Sequence, residues 1–363
     1  MAMIQDTVKN LRLPALLDER QRGVPETAKA WEARRLELVD LLCREVYGYV
    51  PAFEGMVSAA CVEKDEGAYA GKATVQTLNL TVTMPQGVFS FPIVMTLPNF
   101  IERPQMIVSL AFRKQIPDRY YPQEEILDAG IGVAQLCYTD VATDDGDFST
   151  GVAPLLTQGE RTGTTLGKIG MWAWAASRVM DYLQTLDCID RDTIAVLGHS
   201  RLGKTALLAG ALDTRFAFVY SNDAGCAGDA ITRGKRGEHI RDICKNFPYW
   251  FCENYQKYID REEEMPFDQH FLLAAIAPRY VCIGSAVDDI WADPEYQYYS
   301  CVAAGEAYQF LGLEGFCHPD RLPAVGDSFH DGRIGFHLRS GGHFLSRYDW
   351  LQYIDFMKNK KRP

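Results

Sequence analysis

The sequence predicts an α/β fold: a mostly parallel sheet covered by helices on both faces. Six short, almost wholly apolar runs carry that reading: MIVSLAF, IGVAQLCY, TIAVLG, FAFVYS, YVCIGS and IGFHLR, separated by segments of helical pattern. Strands that read as continuous hydrophobic runs are buried on both sides, as parallel strands between helix layers are. Upstream, residues 57–97 alternate apolar and polar positions, which signals antiparallel strands. Composition agrees with an ordinary globular domain, at 47% hydrophobic, 12% aromatic and 23% charged over 363 residues.

Residues 7–50 are helical in pattern, and WEARRLELVDLLCREVYGYVP closes on Gly48 and then Pro51. VSAACVE, GKATVQTLNLTVTMP and VFSFPIVMTLP then read as three successive antiparallel strands. From MIVSLAF onward, buried strands alternate with helices to the C-terminus. No repeat, low-complexity tract or Pro/Ser-rich linker divides the chain. The expectation is one domain over 1–363, with an N-terminal helical extension over 1–55 and the core over 56–363.

Lys+Arg 37 against Asp+Glu 48 gives 37 − 48 = −11. An acidic surface of that kind argues against a nucleic-acid partner, which needs a basic face to displace counterions. No run of about 18 apolar residues exists to cross a membrane. The N-terminal MAMIQDTVKNLRLPALLDE has no apolar core of a signal peptide, which predicts a cytoplasmic location unless an export signal was cut away before Met1. Ten cysteines are scattered, mostly in apolar runs and without a CxxC pair, so buried reduced thiols are expected. Ligand-spaced clusters of His, Cys and carboxylates are absent, so neither metal nor organic cofactor is expected. Nothing in the sequence signals an oligomeric state.

The strongest chemical signal is DTIAVLGHSRLGKTALLAGALD. A buried strand, a sharp turn at Gly198-His199-Ser200 and an immediate helix make the setting of a nucleophile elbow, as in an α/β-hydrolase fold. Gly198 suits the close approach that such a turn needs. The strict G-x-S-x-G spacing fails, because Leu202 stands where the second glycine belongs and Gly203 comes one later. The alternative is a Ser that simply caps a helix.

The helix that follows is apolar nearly all round, with Arg201 and Lys204 as its only charges. Buried cations must be paired or reach water, and both lie where the helix dipole is already positive. Something anionic, or becoming anionic, belongs opposite. Lys204 lies four residues after Ser200, on the same side of the helix; pairing with a structural carboxylate is the plainer option.

Among the histidines 199, 239, 270, 318, 330, 337 and 343, His343 follows the last strand in RIGFHLRSGGHFLSRYDW, where a hydrolase base belongs. His337 lies within the strand and reads as packed, and His199 reads as structural and turned away. Two acids compete to orient the base. Asp289 follows YVCIGS, giving the chain order Ser, Asp, His of that fold, and Asp223 follows FAFVYSN.

GHSRLGKTALLAGALDTRFAFVYSNDAGCAG, FPYWFCENY, MPFDQHFLLAAIAPR, VDDIWADP and GGHFLSRYDW together resemble the bacterial branch of the glucuronoyl esterases, carbohydrate esterase family 15. The resemblance runs from Pro51 to the C-terminus and is most specific over 193–350; W-x-x-RR…EVYG-x-VP near the N-terminus is similar too. It implies a serine esterase of α/β-hydrolase fold that cleaves esters of 4-O-methyl-glucuronic acid. It further implies Ser200 as nucleophile, His343 as base, and Arg201 in the oxyanion hole through guanidinium and backbone N–H. Lys204, Glu238 and Trp291 would line the glucuronate pocket. Glu238 alternatively reads as a solvated loop charge and Trp291 as core. Family members place the triad acid at the position of either Asp223 or Asp289, and the shortness of Asp223 favours Asp289.

Three departures stand out: His199 replaces a disulfide cysteine of fungal members, RKQIPDRYYP differs at the site's mouth, and Asn246 with RGKRGEHIRDICKNF matches only loosely. The competing functions are an acetyl (xylan) esterase or other carbohydrate deacetylase on the same scaffold, and a non-catalytic sugar-binding relative.

Overall fold

The computed structural model describes residues 3–17, 28–114, 121–158 and 161–360. The alternating stretch forms three long strands, β1 (Met56–Ala68), β2 (Ala73–Met84) and β3 (Gly87–Pro98), paired antiparallel. The apolar runs form β4 (Gln105–Ala111), β5 (Ile131–Cys137), β6 (Ile194–His199), β7 (Phe218–Asn222), β8 (Tyr280–Ala286) and, last, β10 (Ile334–Arg339). These six pair in parallel throughout. A two-residue strand, β9 (Ser328–Phe329), too short to leave a periodic signal, closes the edge antiparallel to β10.

All ten strands make one sheet in the order β1-β2-β3-β5-β4-β6-β7-β8-β10-β9. The order reverses around β4, because β5 turns back toward β3 while β6 continues on the other side. In open α/β sheets the carboxyl ends of the strands beside such a reversal form the ligand crevice. β6, which delivers Ser200, ends there.

Both faces are covered. Ile194, Val196, Val219, Val281 and Ile283 pack into one apolar layer with Trp172 and Leu207 of the helices Lys168–Leu183 and Arg201–Leu212. Ala195, Leu197, Phe218, Tyr220, Tyr280 and Cys282 point the other way, onto Trp350, Tyr353 and Phe356 of the helix Arg347–Lys358. This alternation is why each run is apolar at every position.

The expected helical extension is two helices, Ile4–Asn10 and Ala28–Leu42, the second prolonged by a wider turn over Cys43–Tyr47; residues 18–27 of the predicted stretch lie outside the described residues. Buried side-chain hydrogen bonds help dock it on the core. Trp31 Nε1 donates to the Ala277 carbonyl at 3.0 Å, Arg35 Nη1 to that of Ala211 at 2.8 Å, and Tyr47 Oη to that of Ala227 at 2.9 Å. All ten cysteines are free; Cys61 and Cys188 depart from the expectation of burial, since β1 and the turn before β6 leave them exposed. Among the described residues no helix is long and apolar enough to cross a membrane.

Candidate active site

Ser200 stands between β6 and the helix Arg201–Leu212 with φ 57° and ψ −126°. Such a backbone costs a non-glycine residue about 1–3 kcal/mol and persists only where neighbours enforce it. Here the Ser200 N–H donates to Asn222 O at 2.8 Å, and its carbonyl accepts from the N–H groups of Gly203 and Lys204 at 2.8 and 3.1 Å. A Cβ on Gly198 would stand 1.9 Å from the Leu202 carbonyl oxygen, and one on Gly203 would stand 2.9 Å from Ser221 Oγ. The displaced glycine is thereby explained. The close approach to β7 falls on Gly203, while Leu202 turns a fully buried side chain into the core. The Ser200 hydroxyl makes no capping bond, so the plain helix-cap reading fails.

His343 lies on the loop between β10 and the helix Arg347–Lys358, with Nδ1 2.6 Å from Asp289 Oδ2. The ring is half-exposed and the carboxylate buried. The other Asp289 oxygen accepts from the Ala292 N–H at 3.3 Å, which fixes the carboxylate just beyond β8. Asp223 is close as well: oxygens of both acids and a His343 nitrogen lie within 4.8 Å of one another. Its oxygens are engaged elsewhere, by the Ala286 N–H at 3.0 Å and Arg339 Nη2 at 3.4 Å. Burial, then the neighbouring Asp289 and Asp349, pushes the Asp223 carboxyl well above the usual carboxylate range. Of the two acids, Asp289 makes the hydrogen bond to the imidazole.

The His343 loop is braced from below by Arg339, at the end of β10. Arg339 donates to Asp349 Oδ2 at 2.7 Å, to the Ser340 carbonyl at 2.9 Å and to the Phe344 carbonyl. His337 is fully buried, with Nε2 3.0 Å from Asp349 Oδ1. His199 corrects the sequence expectation. It does not turn away from the site; held by Asn222, its ring lies against that of His343.

Arg201 reaches into an aromatic box. Its guanidinium carbon is 4.6 Å from the Trp250 ring centroid, 5.3 Å from that of Phe247 and 5.9 Å from that of Phe112. Nη1 donates to Asp144 Oδ2, and Asp144 also accepts from Tyr138 Oη at 2.9 Å and Trp250 Nε1 at 2.7 Å. Arg201 Nε is buried and has no hydrogen-bond partner among the described residues. Sequence reasoning missed Asp144, Tyr138 and Trp250. The one available signal was the acid-rich VATDDGDF just past β5, beside the strand-order reversal.

Lys204 is buried, and its ammonium donates to the Ala224 carbonyl. Burial pulls its pKa below the usual lysine value, with the Glu238 carboxylate acting in the opposite direction. Asp229 holds the loop that supplies this acceptor, accepting from Ser221 Oγ at 2.7 Å, the Gly225 N–H at 2.7 Å and Gln297 Nε2 at 2.8 Å. Glu238 is buried rather than solvated, and its N–H donates to the Trp291 carbonyl at 2.9 Å. Trp291 is 54% exposed and therefore belongs to the surface, not the core. Asn246 is exposed at the end of the helix Ile240–Asn246, and residues 115–120 of the divergent RKQIPDRYYP lie outside the described residues.

A family model described as "Glucuronyl esterase, fungi" matches residues 69–312. The chain belongs to the glucuronoyl esterase family. Among solved members, the glucuronoyl esterase from Solibacter usitatus is 34% identical with a TM-score of 0.86, the match covering 95% of this chain and 97% of that one. A promiscuous esterase of carbohydrate esterase family 15, from a marine bacterial metagenome, is 31% identical with a TM-score of 0.83, covering 92% of each chain. The carbohydrate esterase MZ0003, from an unknown prokaryotic organism, is 40% identical over 241 residues. That match takes in 64% of this chain but 54% of the relative, so the chain spans about half of that protein's length. The 4-O-methyl-glucuronoyl methylesterase 1 of Wolfiporia cocos is 27% identical over 321 residues, 84% of this chain and 72% of that protein. Within the glucuronoyl esterase match of 69–312 lie Ser200, Arg201, Lys204, Asp223, Glu238, Asp289 and Trp291, while His343 falls beyond it.

Proposed function

We propose that this chain hydrolyses esters of glucuronic acid by acyl transfer through Ser200. The observation that carries the reading is the convergence of the Ser200 elbow, the 2.6 Å bond between His343 and Asp289, and the Asp144-held Arg201 with its unpartnered Nε.

Ser200 Oγ attacks the uronoyl carbonyl carbon while His343 takes its proton, and Asp289 fixes the imidazole tautomer and balances the imidazolium. The carbonyl oxygen becomes an anion facing the Arg201 guanidinium and the first N–H of the helix. A preorganised donor there is worth on the order of 3–4 kcal/mol of barrier. His343 then protonates the departing alcohol, and water, activated by the same imidazole, releases the uronate and restores Ser200. Lys204 and Glu238 form a polar wall and Trp291 offers a flat exposed face, a pairing suited to a sugar ring. Relatives named 4-O-methyl-glucuronoyl methylesterase support uronate as the acyl group.

The test compares hydrolysis of benzyl glucuronate with acetate release from acetylated xylo-oligosaccharides. Glucuronate release that disappears in Ser200→Ala is expected; acetate release alone would make the chain a carbohydrate deacetylase. Lys204→Ala should impair the glucuronate ester far more than a nitrophenyl acetate, because only the former has a sugar to hold.

A further inference from the structure

The pairing of β8 with β10 brings together three side chains that take no part in this hydrolysis. Cys282 on β8, His337 on β10 and His330 in the turn between β9 and β10 present Sγ and ring nitrogens that all lie within 4.8 Å of one another. Gly335 pairs with Cys282 and Gly284 with His337, and these two glycines keep room around the group. A Cβ on Gly284 would stand 2.6 Å from His337 Nε2, and one on Gly335 would stand 2.8 Å from Cys282 Sγ.

Each imidazole is turned by a carboxylate of the helix Arg347–Lys358. His337 Nε2 is 3.0 Å from Asp349 Oδ1, so the proton sits on that nitrogen and Nδ1 keeps its lone pair. His337 Nδ1 is fully buried and has no hydrogen-bond partner among the described residues. His330 Nδ1 faces Asp355 Oδ2 at 3.4 Å, which leaves Nε2 toward Cys282 Sγ at 3.7 Å. Histidines backed by carboxylates on the far nitrogen are the ordinary support of metal ligands. In a tetrahedral zinc site, Zn–S of about 2.3 Å and Zn–N of about 2.0–2.1 Å set sulfur and nitrogen about 3.6 Å apart. The Cys282–His330 separation already matches.

We propose that Cys282, His330 and His337 form a binding site for a borderline-soft divalent cation, Zn²⁺ by its donor set. Ser328 Oγ, 3.2 Å from His330 Nε2, borders the fourth position. As the Sγ–Zn bond forms, the thiol proton leaves to solvent. His330 is the partly exposed member, at the sheet edge, and gives the ion its way in. The bound ion would fasten the short edge strand and its turn to β8 and β10. Sequence spacing did not reveal the set, because 48 residues separate Cys282 from His330 and only strand pairing joins them.

The test uses the whole chain, stripped by chelator and dialysed against Zn²⁺ alone. One equivalent is expected in the wild type, with affinity at least tenfold lower in Cys282→Ala and in His330→Gln, each compared at wild-type far-UV circular dichroism. Loading with Co²⁺ should give tetrahedral visible bands and a thiolate charge-transfer band. That signature should vanish in Cys282→Ala and persist when the exposed Cys61 and Cys188 are both changed to Ser. Substoichiometric zinc in the wild type, or unchanged binding in Cys282→Ala and His330→Gln, would overturn the site.

Discussion

His199 and His343 face one another with ring centroids 4.5 Å apart and planes inclined by 44°. Burial, and next the charge of His343, pushes His199 down to about 3, so the lower ring stays neutral when the upper one is protonated. Burial likewise pushes His270 down to about 4. Free histidine titrates near 6.5. Between about 6.5 and 4 the unfolded chain therefore binds protons at these rings that the folded chain refuses, and stability falls as pH falls. Denaturant titrations at a series of pH values should show a slope rising toward two protons from these rings. His270→Gln should remove one proton from that slope; a slope unchanged by this substitution would refute the assignment.

Asp289 and Asp223 compete on paper, but only Asp289 bonds the imidazole. We expect Asp289→Asn to lower kcat by about 10⁴-fold, as loss of the orienting acid does elsewhere. Asp223→Asn should stay within about tenfold, since an amide can keep the bond from the Ala286 N–H. Single-turnover acylation rates decide it, and the reverse ranking would move the acid to Asp223.

Arg201 depends on Asp144 for its aim. Asp144→Ala should lower kcat by about 10²–10³ with little change in KM, the pattern of a lost transition-state donor. Arg201→Lys should not restore activity, because an ammonium lacks the planar fork that can serve carboxylate and oxyanion together. Steady-state kinetics on a glucuronate ester and on an aryl acetate should show the same loss, since both develop the same oxyanion.

The Ser200 turn tolerates little at Gly198. An alanine there meets the Leu202 carbonyl and should cost about 1–3 kcal/mol or more, with activity falling as Ser200 shifts. Leu202→Gly would restore the common glycine spacing yet remove a fully buried side chain, at about 2–5 kcal/mol. Thermal unfolding should therefore rank both below the wild type, and a stabilised Leu202→Gly would refute the packing argument.

The parallel strands were legible because burial on both faces leaves uninterrupted apolar runs. Ser200 and His343 were legible because each sits in a local pattern of strand, turn and helix. The choice between Asp289 and Asp223 was not, since both follow strands at the same end of the sheet. It depends on what Ala286 and Arg339 do in three dimensions. Asp144 was hidden because its partner is 57 residues away and its loop holds other acids of equal promise. His199 was misjudged because alternation along a strand says nothing about a loop that folds back over its end.

The docking of Trp31 on Ala277 has a consequence for how the molecule is made. The two residues are 246 positions apart, so a chain growing from its N-terminus exposes the indole long before its acceptor has been synthesised. Tyr47 waits similarly for Ala227, 180 residues later. Until then this apolar face must be kept from other chains, and closure of so long a loop is slow. These helices emerge well before the segments they dock on and are thus among the last to settle, a burden for expression that the folded chain does not show.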